Sequence, residues 1–389
     1  MSFDAVIVGA GPAGAAAALG LARAGRRVAL VEKASFPRRK VCGEFVSAAS
    51  APVIDALGLG GAWRSLAGPE VRRLALFEGE RVVEAPMPGG SGFGRALGRD
   101  VLDALLRDEA VRAGATLLQP CRATGHARTA GGHVLGVEDE DGARELHAPV
   151  MIAAHGSWET GGLPTQSPKH AAPKGFLGFK AHFRDGRLPP DMMPVLAFPG
   201  GYGGMVWADD GRLSLSCCVR SDALRAIRQP GESAGAAVQR HLERSCRGVR
   251  DALGGAEPDG PWLAAGPIRP GIRPRYADDT FRVGNVAGEA HPVIAEGISM
   301  ALQSSWLLCR ALEGIDLHDP AARAEAGGRY AAAWRRQFAA RIRAANAFAQ
   351  VAMRPRTFRH VGGVIEMAPA LLTLGARLSG KVKPVPRLA

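Results

Sequence analysis

Asp4-Ala-Val-Ile-Val8-Gly9-Ala-Gly11-Pro12-Ala13-Gly14 decides the fold of this 389-residue chain. An Ala/Leu-rich segment, residues 15–24, follows it, then Gly25, then Arg27-Val-Ala-Leu-Val31-Glu32. Asp4 to Val8 reads as a short buried parallel strand. Residues 15–24 have strong helix propensity, and Gly25 is placed to cap them. Arg27 to Val31 reads as a second strand ending at Glu32. Gly9 permits the tight strand-to-helix turn. Gly11 lets a pyrophosphate approach the backbone, and Gly14 lets helix and strand pack closely. The helix that starts at Pro12 offers the free N–H groups of Ala13 and the residues after it, and a positive dipole end, to phosphates. Glu32, with Lys33 beside it, is spaced to accept hydrogen bonds from ribose hydroxyls. The unit therefore binds a dinucleotide, and by itself does not say which.

Three further segments extend the pattern. Phe36-Pro-Arg-Arg39-Lys40-Val-Cys42-Gly43-Glu44 is basic and carries one cysteine. Arg99-Asp100-Val-Leu-Asp103 opens an amphipathic helix expected to reach about Ala113. The third runs Gly284-Asn285-Val-Ala-Gly-Glu-Ala-His291-Pro292-Val-Ile-Ala-Glu296-Gly297-Ile298-Ser299. With the first unit they resemble the flavoprotein superfamily of para-hydroxybenzoate-hydroxylase-type monooxygenases and geranylgeranyl reductases, over most of the chain. The resemblance implies an α/β fold: a Rossmann-type, glutathione-reductase-like FAD-binding domain, a strand-rich substrate domain and C-terminal helices. It implies FAD as cofactor, with Arg39, Lys40 and Arg99 near its phosphate, ribityl or flavin oxygens. Cys42 would approach the substrate side of the flavin. Asn285 stands where the family has Asp, and keeps a carbonyl acceptor. Pro292, Gly297 and Ile298 complete the second FAD motif. The helix opening at Gly297 would aim N–H groups and its dipole at the flavin.

His155 replaces the Asp of the family's D-G motif within Ile152-Ala-Ala-His155-Gly156-Ser-Trp158. No second Gly-rich nucleotide fold is visible, so NAD(P)H as reductant is expected to bind transiently. The halogenase-type W-x-W-x-I-P signature is absent.

The FAD domain is expected at 1–70, 91–165 and 275–320, and the substrate domain at 71–90 and 166–274. A helical region covers 321–389. Residues 121–151 read as a β-meander with turns at Ala130-Gly-Gly132 and Asp141-Gly142. A 47% hydrophobic and 22% charged composition excludes disordered and coiled-coil classes. The six cysteines show neither C-x-x-C nor zinc spacing, so free thiols in a reducing cytoplasm are expected, and no metal site. The net charge of +12 favours acidic partners. No nucleic-acid recognition motif accompanies it. Arg335, Arg336, Arg341, Arg343, Arg354, Arg356 and Arg359 precede an apolar segment, 367–378, and Lys381, Lys383 and Arg387 follow. That end reads either as a peripheral membrane or acidic-carrier contact, or as helices packed on the FAD domain with a solvated face.

Two chemistries suit the resemblance. One is monooxygenation of an apolar or phenolic substrate, which comes first because the fold family is dominated by it. The other is reduction or dehydrogenation of a C=C bond in a prenyl, lipid-like or carrier-bound chain. The Cys42-Gly43-Glu44 segment, the Glu296-Gly297-Ile298 turn and His155 favour the second. A non-catalytic flavin sensor is the third reading. His291 and Glu296 lead the acid/base candidates, with Cys42, His182 and Tyr202. Each of the titratable ones has a structural-partner reading beside the catalytic one.

Overall fold

The computed structural model describes residues 1–90, 92–157, 160–166, 175–352 and 355–385. Trp158, the start of the substrate domain near Ala171, Arg354 and Arg387 lie outside the described residues, as do the side chains of Arg356 and Arg359.

A six-stranded sheet carries the N-terminal unit. Its order is Tyr276–Ala277, Thr280–Arg282, Val150–Ala153, Ala5–Val8, Val28–Val31, Thr116–Leu118. All pairs are parallel except the first. Ala5–Val8 is buried along its whole length because both faces are covered. Ala5 and Ile7 lie under helices, while Val6 and Val8 meet Leu135, Val137 and Leu146 of a three-stranded meander. That is why the strand reads as a continuous apolar run rather than an alternating one. The meander is Arg122–Thr129, Gly132–Asp139 and Gly142–Ala148, with turns where the sequence predicts them.

The first helix spans Pro12–Arg23, with Gly11 as N-cap. Its alanines allow close packing against the helix Gly297–Ala311, whose Ser305 Oγ donates to the Ala13 carbonyl at 2.6 Å. The helix Arg99–Arg112 packs on its other side.

The second sheet has Phe176–Arg184 against Leu213–Arg220, then Gly201–Trp207, Met192–Phe198, Arg73–Glu78 and Arg81–Pro86. Arg73–Glu78 joins in parallel, so residues 73–86 serve this sheet although they sit between segments of the first. Strand alternation gives it two unlike faces. Phe179, Ala181, Leu215 and Cys217 are buried with Val238, Leu242 and Val249 from the helices Ala234–Ser245 and Arg247–Ala252. Lys180, His182, Ser214, Ser216, Cys218 and Tyr202 point the other way, towards the first unit. Cys217 and Cys218 thus occupy opposite faces.

A long helix, Pro320–Ala352, sets Tyr330, Trp334 and Phe338 into the main core. The hairpin Pro355–Met367 and Ala370–Leu378 then lies on the strands at 73–86, burying Ile365 and Ala376.

Candidate active site

A cavity of about 550 Å³ opens where the first strand meets its helix. The volume is within the range of small-molecule and cofactor sites. Gly9 turns the chain at φ +104°, in the left-handed region, and a Cβ there would strike the Ala154 carbonyl at 2.7 Å. A Cβ on Gly14 would lie 1.8 Å from the Gly9 oxygen. Gly11 differs: its missing Cβ would meet only Arg99 Nη2, at 3.6 Å, so the space above it is the cavity itself. Two helix N-termini face this space, at Pro12 and at Gly297, and neither has a side-chain cap. Their free N–H groups and dipoles make it an anion site. Glu32 Oε2 accepts from the Ala10 amide at 2.9 Å, and Oε1 from Ala34 at 3.0 Å and from Arg38 Nη2 at 3.2 Å. Arg38 Nε is buried with no hydrogen-bond partner among the described residues, a donor awaiting an acceptor. Steric room over Gly11, two helix ends and an aimed carboxylate fit a dinucleotide.

Arg99 lines the cavity and is held by Asp103 through two bonds of 2.7 Å, one turn further along its helix. Burial works against the charge on Arg99, but Asp103 and then Cys42 push its pKa up. Cys42 also lines the cavity.

Behind Cys42 lies a buried ionic cluster. Glu44 is 1% exposed and sits at φ +60°, a conformation that side-chain-bearing residues seldom hold. Its carboxylate accepts from His182 Nε2 at 2.8 Å and from the Arg99 amide at 3.0 Å, and it contacts Lys180 Nζ. Lys180 Nζ also donates to the Cys42 carbonyl at 3.2 Å. Burial raises the Glu44 pKa, but Lys180 and His182 outweigh it and hold the carboxyl far below the ordinary range. The cluster thus pins Cys42-Gly43-Glu44 to the second sheet. A second tie runs from Arg212 to Asp100 at 2.8 Å.

The FAD binding domain family matches residues 2–186. Digeranylgeranylglycerophospholipid reductase 1 of Methanopyrus kandleri is 30% identical over 331 residues, covering 78% of this chain and 78% of the relative. The chain belongs to the FAD-dependent oxidoreductases of the para-hydroxybenzoate hydroxylase and geranylgeranyl reductase superfamily. The menaquinone reductase of Mycobacterium tuberculosis is 28% identical to this flavoenzyme over 325 residues, 81% of the chain and 78% of the relative. A flavin-dependent brominase shares the fold at a TM-score of 0.76 and 17% identity, over 98% of this chain and 94% of that one. The cofactor is FAD. When bound it supplies the two-electron chemistry; the protein supplies position, charge and exclusion of water.

Of the residues singled out in the sequence, the flavoenzyme gathers Gly9, Gly11, Pro12, Ala13, Glu32, Lys33, Lys40, Cys42, Arg99, Asn285, Gly297 and Ile298 around the one cavity. Gly14 lies beneath the turn, as a packing glycine should. Arg39 departs from expectation. Its guanidinium points at the second sheet's edge, 3.2 Å from Asp259 and 3.8 Å from Asp100, because those carboxylates outcompete a site on the far side of the backbone. Arg38 takes the cavity side instead. Pro292 is exposed and does not line the cavity. His155 borders the cavity, its Nε2 2.9 Å from Thr165 Oγ1.

His291 and Glu296 are outside the cavity lining. His291 is buried against Phe176 and bonded to Tyr202 Oη through Nδ1. Burial lowers its pKa to about 4, so it is neutral at pH 7. Glu296 has both oxygens engaged: Ser47 Oγ donates at 3.0 Å, Lys381 Nζ at 3.2 Å, and Arg341 lies 3.7 Å away. The geometry gives it a clamping task. Sequence reasoning missed Lys180 and Asp103. The signal for Lys180 was present: a lysine and a histidine two apart, on one face of a strand otherwise built of apolar residues.

Proposed function

We propose that this flavoenzyme reduces C=C bonds in the isoprenoid chain of a lipid or quinone, in preference to oxygenating a phenol. The observation that carries this reading is the placement of Cys42-Gly43-Glu44. This is the segment that resembles the geranylgeranyl-reductase branch, and here it is locked at the cavity wall by Lys180 and His182. The relatives support it, since menaquinone and digeranylgeranylglycerophospholipid both carry polyprenyl chains. The brominase, at 17% identity, speaks for the fold alone. Reduction needs a hydride for one carbon and a proton for its neighbour. Tyr202 and His291 are bonded to one another and both neutral but lie outside the cavity lining, so the proton is drawn from solvent at the cavity. A nicotinamide cofactor, binding transiently, is the proposed electron source.

The test is anaerobic. Protein reduced with dithionite and freed of the excess is mixed with a geranylgeranylated lipid, which has no quinone ring to take the electrons. Flavin reoxidation without dioxygen, and a product heavier by one H2 in the mass spectrum, are expected. Reoxidation only on admitting dioxygen, with a product heavier by one oxygen atom, would establish the oxygenation reading instead.

A further inference from the structure

Large apolar side chains are exposed at eight described positions, and five of them share one place. Val364 (48%), Met367 (80%), Leu371 (41%), Leu374 (49%) and Leu378 (67%) form the outer face of the C-terminal hairpin. Spacings of three and four put Leu371, Leu374 and Leu378 in one stripe. The small residues at the bend, Ala368, Pro369 and Ala370, are exposed too, so the ridge is unbroken. The inner face is already occupied: Val361, Ile365, Leu372 and Ala376 pack on Leu76, Val83 and their neighbours, and Thr373 Oγ1 donates to the Pro86 carbonyl at 2.6 Å. The outer ridge has a separate purpose. The remaining exposed apolar residues, Met1, Leu66 and Val111, are scattered and ask for no explanation.

We propose that this ridge docks on an anionic lipid bilayer, with the hairpin lying in the interfacial plane. Charge selects that occupant. His360 and Arg377 are exposed on the two arms of the hairpin, while Lys383, exposed beyond them, donates to the Arg336 carbonyl at 2.9 Å. The only acidic side chain from 360 to 385, Glu366, is engaged by Arg81 at 2.9 Å. A second copy of a chain with net charge +12 would bring like charge to this face. An anionic bilayer supplies the complement to both the apolar stripe and the cations. Among the described residues no single helix is long and apolar enough to cross a membrane, and the two hairpin arms are bent by 110°. A bent hairpin with a packed inner face suits lying on a surface rather than spanning it.

The ridge is also connected to the cavity. Lys381, three residues beyond Leu378, donates to the Ile294 carbonyl at 2.8 Å and to Glu296 at 3.2 Å, and Gly297 is the next residue and lines the cavity. Docking would bring the flavin loop close to the bilayer, where a polyprenyl substrate resides. That last link rests on the lipid-substrate reading; the docking itself does not.

Vesicle flotation of the FAD-loaded full chain tests it without turnover. Phosphatidylcholine vesicles containing phosphatidylglycerol should carry the protein, and plain phosphatidylcholine should carry less. Met367→Glu and Leu374→Glu should each lower the bound fraction's partition coefficient about tenfold or more, with flavin absorbance and melting temperature kept. Leu374→Trp should retain binding. Three results would overturn the proposal: no flotation on either vesicle, flotation unchanged by the Glu variants, or a concentration-dependent dimer in sedimentation velocity that Leu374→Glu dissolves. Flotation together with a failed anaerobic reduction would leave the docking standing and remove the lipid-substrate reading.

Discussion

The Gly9–Gly14 turn lines the cavity, the Glu44 cluster stands just behind its Cys42 wall, and the two are built on opposite principles. The turn uses almost no charge. It works by absence of side chains, by backbone N–H groups and by the helix end they form. The cluster uses charge almost exclusively, setting one fully buried carboxylate between an ammonium and an imidazole. The turn is local, complete within a few residues. The cluster joins positions separated by more than a hundred residues, 44 with 180 and 182. One should therefore fail by collision and the other by an unbalanced charge.

Three experiments press on that difference. Gly14→Ala places a Cβ against the Gly9 carbonyl, 1.8 Å away in the present backbone. Backbone cannot yield as a flexible side chain would, so a cost above about 4 kcal/mol is expected, of the size reserved for strain at special positions. Gel filtration followed by flavin absorbance should find the cofactor lost. Gly11→Ala, with 3.6 Å of room inside the protein, should keep its melting temperature and lose FAD affinity only through the methyl it puts into the cavity; equal destabilisation by both variants would break the steric account.

Lys180→Met should cost about 3–4 kcal/mol in urea unfolding, because it leaves Glu44 charged, buried and short of a partner. Adding Glu44→Gln should recover a large part of that loss. If the double variant is no better than the single, charge balance is not what holds the cluster. Acid should act in the same direction. Glu44's contribution is fully present above 4.5, its ordinary value, and fades as pH falls towards its much lower folded value.

The smallest effect concerns His291. Its folded pKa of about 4 lies below the ordinary 6.5. As pH falls from 6.5 to 4, the unfolded chain takes up a proton that the folded chain refuses, so stability declines by about 2–3 kcal/mol. His133 shares this window, its pKa also lowered to about 4 by burial. The useful readout is thus the difference in slope between the protein and His291→Gln, measured by thermal unfolding across the window. No difference would mean that His291 titrates normally.

The same contrast explains what could be read in the sequence. Gly9, Gly11, Gly14 and Glu32 announce their tasks by spacing, since strand, turn, helix and acid follow one another along the chain. The hairpin turns of the meander and the extent of the Arg99 helix were legible for the same reason. Arg39 was not, because Arg38, Arg39 and Lys40 are chemically alike and only the tertiary position of Asp259 decides which of them turns away. Glu296 was misleading in another way. A carboxylate next to the second FAD motif looks catalytic until Lys381 and Arg341 arrive from distant segments to claim it. Long-range partners of this kind leave no periodicity to find. A buried lysine inside a strand is a partial exception, since its burial demands a partner even when the partner cannot be named.

The Glu296–Lys381 bond has a consequence for biosynthesis. The two residues are 85 positions apart, and the acid is made first. At translation rates of about 5–20 residues per second, Lys381 emerges roughly 4–17 s after Glu296. Until then the loop before Gly297 carries a carboxylate that has no ammonium to neutralise it and no reason to be buried. The nascent chain therefore has its Gly9–Gly14 cradle long before it can close the other wall, and capture of FAD belongs after Lys381 has emerged rather than before.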